Sequence, residues 1–139
     1  MNSKYEINTK ENREFLKTSC EELLNFGHRF PSPNGGSYYL GDDGTPWKDR
    51  NRETWITCRM AHVYSLGLML GHEGSGELAD AALKGLKGEL HDEKNGGWYA
   101  GVTPEGDTVP NKQCYAHAFV ILAASSALTA GRPGAKELL

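Results

Sequence analysis

The sequence has no uninterrupted apolar run of the roughly 18 to 20 residues that a membrane-spanning helix needs. Its first residues, MNSKYEINTKENREF, lack the basic-then-apolar order of a secretory signal. A cytoplasmic protein with no membrane partner is expected. Positive charge is also short: 15 Lys and Arg stand against 18 Asp and Glu, for a formal charge of -3 in 139 residues. That balance offers no basic field to nucleic acid or an anionic surface. Cysteine is scarce and odd in number. Cys20, Cys58 and Cys114 are far apart and each falls in a predicted helix, so reduced thiols are expected rather than a disulfide framework. There is no GxSxG, no phosphate loop, no dinucleotide fingerprint and no carboxylate pair of the kind glycoside hydrolysis uses.

Four helical segments are present. The spacing predicts an amphipathic helix over 8–27, with Phe15, Leu16, Ser19, Cys20, Leu23 and Phe26 on its inner half and Gly27 closing it. A second, over 52–70, is apolar nearly all round. A third, over 75–91, is amphipathic again, with Leu78, Ala82, Leu83, Leu86 and Leu90 facing inward. The fourth, over 111–130, is apolar again, and its CYAHAFVILAASSALTAG stretch has no charged residue. A helix apolar on all sides must be surrounded by protein, whereas an amphipathic one covers a surface. The expected order is outer, inner, outer, inner.

The connections repeat as well. GGSYYLGDDGTPWKD (35–49) and GGWYAGVTPEGDTV (96–109) each place a Gly-Gly pair before a short aromatic strand and a turn, so each predicts a β-hairpin. The Gly-Gly pairs lie 61 positions apart, and Gly71 and Gly131, which close the inner helices, lie 60 apart. The repeats span about 8–71 and 74–131. A unit of outer helix, hairpin and inner helix is that of an (α/α) toroid, an all-α fold with short hairpins. Two units do not close a ring. PGAKELL, at 133–139, reads as the opening of a further helix, so more sequence is expected to follow. A partial ring would leave apolar helix edges bare, from which self-association is expected.

Trp55, Arg59 and His62 follow i, i+4, i+7 spacing and share one stripe of the second helix, with Arg52 and Glu53 in its first turn. An arginine in an apolar helix needs a partner for its charge: either a carboxylate on a neighbouring helix or the oxygens of a ligand in a cavity. Tyr115 and His117 lie near the start of the fourth helix. A phenol and an imidazole there suit a polyol, although a hydrogen-bonded core histidine satisfies the pattern equally. The hairpin aromatics Tyr38, Tyr39, Trp47, Trp98 and Tyr99 read as loop packing. Cys58 with His62 and Cys114 with His117 have helical spacing that would allow a Cys2His2 zinc site if the two helices adjoin. Buried free cysteine is the simpler alternative, and no metal or other cofactor is expected.

Three stretches, RETWITCRMAHVYSLG, HDEKNGGWYAGVTPEGD and NKQCYAHAFVILAASSALTAGRPGAKELL, resemble the N-terminal part of the N-acylglucosamine 2-epimerase superfamily, in particular its mannose isomerase and sulfoquinovose isomerase branch. The resemblance covers nearly the whole chain but about the first third of such an enzyme, a six-repeat (α/α) barrel. It implies that Arg59 reaches the sugar oxygens near the reacting carbons, that Trp55 shapes the pocket, and that Tyr115 lines the sugar site. His117 falls in the same matching segment, where a histidine is expected and Ala116 replaces a glycine frequent in the family, and the resemblance counts it with Trp55 and Tyr115 among the substrate-binding residues. The histidines and glutamate that move protons in the family lie on later inner helices, and no part of this chain matches them. His62, His72 and His91 are assigned to packing or solvent.

The implied reaction is aldose–ketose interconversion of a monosaccharide, mannose with fructose or a close analogue, by proton transfer between C1 and C2 through an enediol. A base removes the proton beside the carbonyl, and fixed donors hold the oxyanion that develops. Arg59 suits the second task only, because it stays protonated. The chain by itself is expected to be inactive. A 2-epimerase of N-acylhexosamines or cellobiose shares the scaffold. From another class, a non-catalytic helical-repeat module would use Arg59 and Tyr115 only to bridge helices.

Overall fold

A computed structural model describes residues 3–139. Helix α1 (Lys10–Gly27) starts where Thr9 accepts the Asn12 N–H on its side chain, satisfying one of the helix's first free donors. It leads into the first hairpin, β1 (Tyr39–Leu40) and β2 (Pro46–Trp47), paired antiparallel with Tyr39 opposite Trp47. Strand β3 (Arg52–Glu53) runs directly into α2 (Thr54–Met69). After α3 (Ser75–Lys87), the second hairpin, β4 (Gly101–Val102) and β5 (Thr108–Val109), joins β3 in a three-stranded sheet of order β3-β4-β5. Helix α4 (Cys114–Thr129) follows, and the chain closes on one 3-10 turn, Lys136–Leu138.

Arg52 and Glu53 were expected in the first turn of α2. They are extended instead, because their backbone is hydrogen-bonded in register with Val102 and Gly101 of the other repeat. The third helix likewise stops at Lys87 rather than 91, since Gly88 departs from helical geometry and Leu90 bonds into the second loop, where its carbonyl accepts from Tyr99 N–H.

Helix α2 is the hub, packing on both α3 and α4. Its contacts with α4 advance in step. Trp55 meets Tyr115, Arg59 meets Tyr115 and Phe119, and His62 meets Ser126, so the two helices run parallel, as inner helices of a toroid do. Small residues are prominent among the buried positions of both inner helices, including Thr57, Cys58, Ala61 and Ser65 on α2 and Ala116, Ala123, Ala124 and Ala127 on α4. The α3 face supplies Ala79, Ala82, Leu83 and Leu86 to the same core.

Two burial expectations are corrected. In α1 the buried residues are Leu24 and Gly27, whereas Leu16, Leu23 and Phe26 are exposed, Leu23 to 71%. The reason is local: the Leu24 carbonyl accepts the Tyr64 hydroxyl at 2.7 Å, which seats α1 on α2 by one flank and leaves its apolar stripe uncovered. The inner helices are not enclosed either. Val63, Leu66 and Met69 of α2, and Ile121, Leu122 and Leu128 of α4, are exposed, because two repeats cover only one side of each inner helix.

Candidate active site

The site is assembled where the N-terminal ends of α2 and α4 meet the first hairpin. Arg59 is exposed at its head. Its guanidinium lies 4.7 Å from the Trp55 ring centroid and 5.0 Å from that of Phe119, and Nη2 donates to the Tyr115 hydroxyl at 3.2 Å. Two aromatic faces attract the cation and hold its plane, while most of its five donors stay free for a ligand. Edge contacts link Tyr39, Trp55 and Tyr115, with centroids 6.5 and 6.0 Å apart, and Tyr115 continues to Phe119 at 4.9 Å.

Glu53 fixes this array from behind. One carboxylate oxygen accepts both the Tyr39 hydroxyl, at 2.6 Å, and the Trp55 indole N–H, at 2.5 Å. The strand geometry of Glu53 makes this reach possible, since a residue in the first helical turn would project elsewhere. Burial, reinforced by the bond to Glu53, raises the Tyr39 phenol well above its ordinary value, so it stays a donor. An apolar cleft of about 290 Å3 opens beside Arg59, lined by Phe26, Tyr38, Tyr39, Ile56 and Met60.

The structure brings Trp55, Arg59 and Tyr115 together as one unit. His62 shares their helix but is engaged one turn deeper, its Nδ1 2.7 Å from Ser126 Oγ across the α2–α4 seam. His117 faces the second loop, where Nε2 accepts from Trp98 N–H at 3.2 Å and Nδ1 donates to the Gln113 carbonyl at 2.8 Å. His72 is held by Ser75 and Asn25, and His91 packs on Trp98. Trp98 itself is loop packing, its indole N–H donating to the Leu86 carbonyl. The cysteine–histidine pairs do not converge. Cys58 is fully buried, with its thiol pushed up to about 12 by burial, whereas Cys114 is exposed. Among the described residues no three His, Cys, Asp or Glu side chains are placed to hold a metal ion.

The carboxylate bridge considered for Arg59 belongs to Arg52. That side chain is buried, pairs with Glu89 at 2.6 Å, and also donates to Ser32 Oγ and the Gly35 carbonyl. Sequence reasoning missed Glu53, Tyr39 and Phe119 as parts of the site. The repeat held a signal for one of them: a shift of 60 positions carries Trp55 onto Tyr115 and Arg59 onto Phe119.

The fold is that of two repeats of an (α/α)6 toroid, and comparison with known proteins gives it a family. The sequence profile of the N-acylglucosamine 2-epimerase (GlcNAc 2-epimerase) family matches residues 35–139, and the chain belongs to that family. It is 40% identical over 128 residues to a D-mannose isomerase of Thermobifida fusca, a match covering 91% of this chain and 31% of that protein. Among solved structures, the cellobiose 2-epimerase of Bacillus thermoamylovorans B4167 superposes with a TM-score of 0.74 at 26% identity, over 91% of this chain and 36% of that one. A D-mannose isomerase crystal structure shares the fold with a TM-score of 0.78 at 24% identity, over 90% of this chain and 33% of that one. The chain thus spans about a third of the length of these relatives. No helix among the described residues is long and apolar enough to cross a membrane.

Proposed function

We propose that this chain forms the oxyanion-binding wall of a sugar isomerase that interconverts an aldose and a ketose, mannose and fructose or a close analogue, through an enediol. The observation that carries this reading is the Arg59 guanidinium held between Trp55 and Phe119 and braced by Tyr115, with donors left over. Such a fixed cation is poised for an oxygen that gains negative charge, and its aromatic supports offer faces on which a sugar ring or chain can lie. Trp55 and Tyr115 contact the sugar beside Arg59. None of these side chains is a base. The imidazoles of His62 and His117 are committed to Ser126 and to the second loop, and the family's proton-transfer motifs have no match in the sequence. The base therefore belongs to later repeats. Three free cysteines fit a reducing, cytoplasmic setting.

D-Mannose, N-acetylmannosamine and cellobiose titrated into the isotopically labelled chain test the reading by NMR. Mannose is expected to shift the resonances of Trp55, Arg59 and Tyr115 in the wild-type chain and not in Arg59→Ala. A stronger response to N-acetylmannosamine or cellobiose would make the protein a 2-epimerase, and no response to any sugar would favour a helical-repeat interaction module. Turnover of mannose by the 139-residue chain alone would overturn the assignment of the base to other repeats.

A further inference from the structure

The two loops that precede the inner helices are held by the same contacts, displaced by 60 or 61 positions. In the first, Ser32 N–H donates to the Gly36 carbonyl and Tyr38 N–H to the Phe30 carbonyl; in the second, Asp92 N–H donates to Gly97 and Tyr99 N–H to Leu90. A cation clamps each turn. Arg52 donates to the Gly35 carbonyl at 3.1 Å and to Ser32 Oγ, and Lys112 donates to the Gly96 carbonyl at 2.5 Å and pairs with Asp92 at 2.7 Å. In each loop the backbone donor just after the Gly-Gly pair bonds a side chain of the inner helix that follows. Ser37 N–H is taken by Thr57 Oγ1 at 3.0 Å, and Trp98 N–H by His117 Nε2 at 3.2 Å.

The glycines fit the same device. A Cβ on Gly36 would lie 3.3 Å from Thr57 Oγ1, and one on Gly97 would lie 2.6 Å from His117 Nε2, so each acceptor sits tight under the second glycine of its pair. Both glycines also have φ near +80°, at +81° and +77°. In His117 the two ring contacts agree on one tautomer. Nδ1 faces a carbonyl and carries the proton, which leaves the lone pair of Nε2 for the Trp98 amide.

We infer that His117 is a positioning residue, the second repeat's counterpart of Thr57, which latches the Gly97–Trp98 loop to the first turn of α4 and thereby holds Tyr115 against Trp55 and Arg59. It acts on sugar through Tyr115 and does not contact it. The inference rests on the sugar-binding reading above for its effect on ligand, and on geometry alone for the latch.

Amide hydrogen exchange and mannose titration of the full 139-residue chain test it together. In His117→Leu the Trp98 amide loses its acceptor and is expected to exchange about tenfold faster, in line with a partly buried donor left unsatisfied, while the Ser37 amide is unchanged. His117→Gln, whose side-chain carbonyl reaches the place of Nε2, is expected to restore Trp98 protection and mannose affinity to within about threefold of wild type. Thr57→Val is the converse variant and serves if His117→Leu does not fold: it should expose Ser37 and leave Trp98 protected. Unchanged Trp98 exchange in His117→Leu, or loss of Ser37 protection alone in any His117 variant, overturns the latch. Weak mannose binding by His117→Gln with Trp98 fully protected would make His117 a sugar ligand and overturn the positioning role. If wild type binds no sugar, the functional reading fails, and the exchange data still decide the latch.

Discussion

Arg59 of the first repeat and Tyr115 of the second are joined by a 3.2 Å hydrogen bond from guanidinium to phenol, so the site spans the seam between α2 and α4. Neither repeat contains it alone. A sugar placed there would touch residues 56 positions apart in the chain.

Arg59→Ala is expected to abolish the mannose response of the chain. In an enzyme carrying this segment it should lower kcat about 100-fold or more, the usual effect of removing one oxyanion donor. Because Arg59 is exposed, the melting temperature should move little. A chain that loses stability and sugar response together would show that Arg59 is structural.

Tyr115→Phe keeps the ring contacts with Trp55 and Phe119 and removes only the oxygen that accepts from Arg59. One partly exposed hydrogen bond is worth about 1 kcal/mol. A loss of roughly fivefold in sugar affinity, read by titration, is the expected result, and a loss as deep as that of Arg59→Ala would mean that the hydroxyl contacts the sugar directly.

Glu53→Gln retains an acceptor for Tyr39 and Trp55, whereas Glu53→Ala leaves both donors without it. Trp55 fluorescence should therefore stay close to wild type in the first variant and shift in the second. Equal spectra for the two would show that packing alone orients the indole.

Arg52→Ala removes a buried cation from Ser32, Gly35 and Glu89 at once. Glu89 is partly exposed and solvent relieves part of its loss, so about 2 kcal/mol of destabilisation is expected from urea unfolding, with the unsatisfied loop groups as the main cause. Arg52→Lys should recover less than half, because an ammonium does not reproduce the forked contacts.

The second loop should loosen in acid. Bonds from Lys112 first, then from Asn95, hold the Asp92 carboxyl well below the usual carboxylate range. A carboxylate depressed in the folded state adds stability that is complete above the unfolded value of about 3.9 and is lost as pH falls through and below it. Protection of the Lys94 and Asn95 amides, which donate to Asp92 Oδ1, should thus fall below about pH 4 once the intrinsic pH dependence of exchange is divided out. Asp92→Asn should flatten that dependence, and a variant with the same acid response as wild type would assign it to another group.

Helix type and number were legible because periodicity depends only on local geometry: α2 and α4 lie within the predicted spans 52–70 and 111–130 and are trimmed by two or three residues at their starts. Those starts were missed at Arg52 and Glu53 because a strand pairing with residues near 101 overrides a helical pattern. Of the four residues expected at the site, Trp55, Arg59 and Tyr115 lie together at the α2–α4 seam, whereas His117 bonds the second loop. Glu53 and Tyr39 were not expected there, since a carboxylate before a helix and a tyrosine in a hairpin carry no sign in the sequence of the bond that unites them.

The sequence by itself determined the repeat, the outer and inner character of the helices, the two hairpins and the presence of a cation on an apolar helix, all properties of residue type and spacing. Only the tertiary structure decided which arginine is buried and paired and which stands free. Arg52 and Arg59 are seven positions apart, and their fates differ because β3 turns one toward Ser32 and Glu89 while α2 turns the other toward the aromatic faces at the seam. Charge compensation depends on what lies within about 4 Å of a side chain, and those neighbours come from parts of the chain that no local pattern connects.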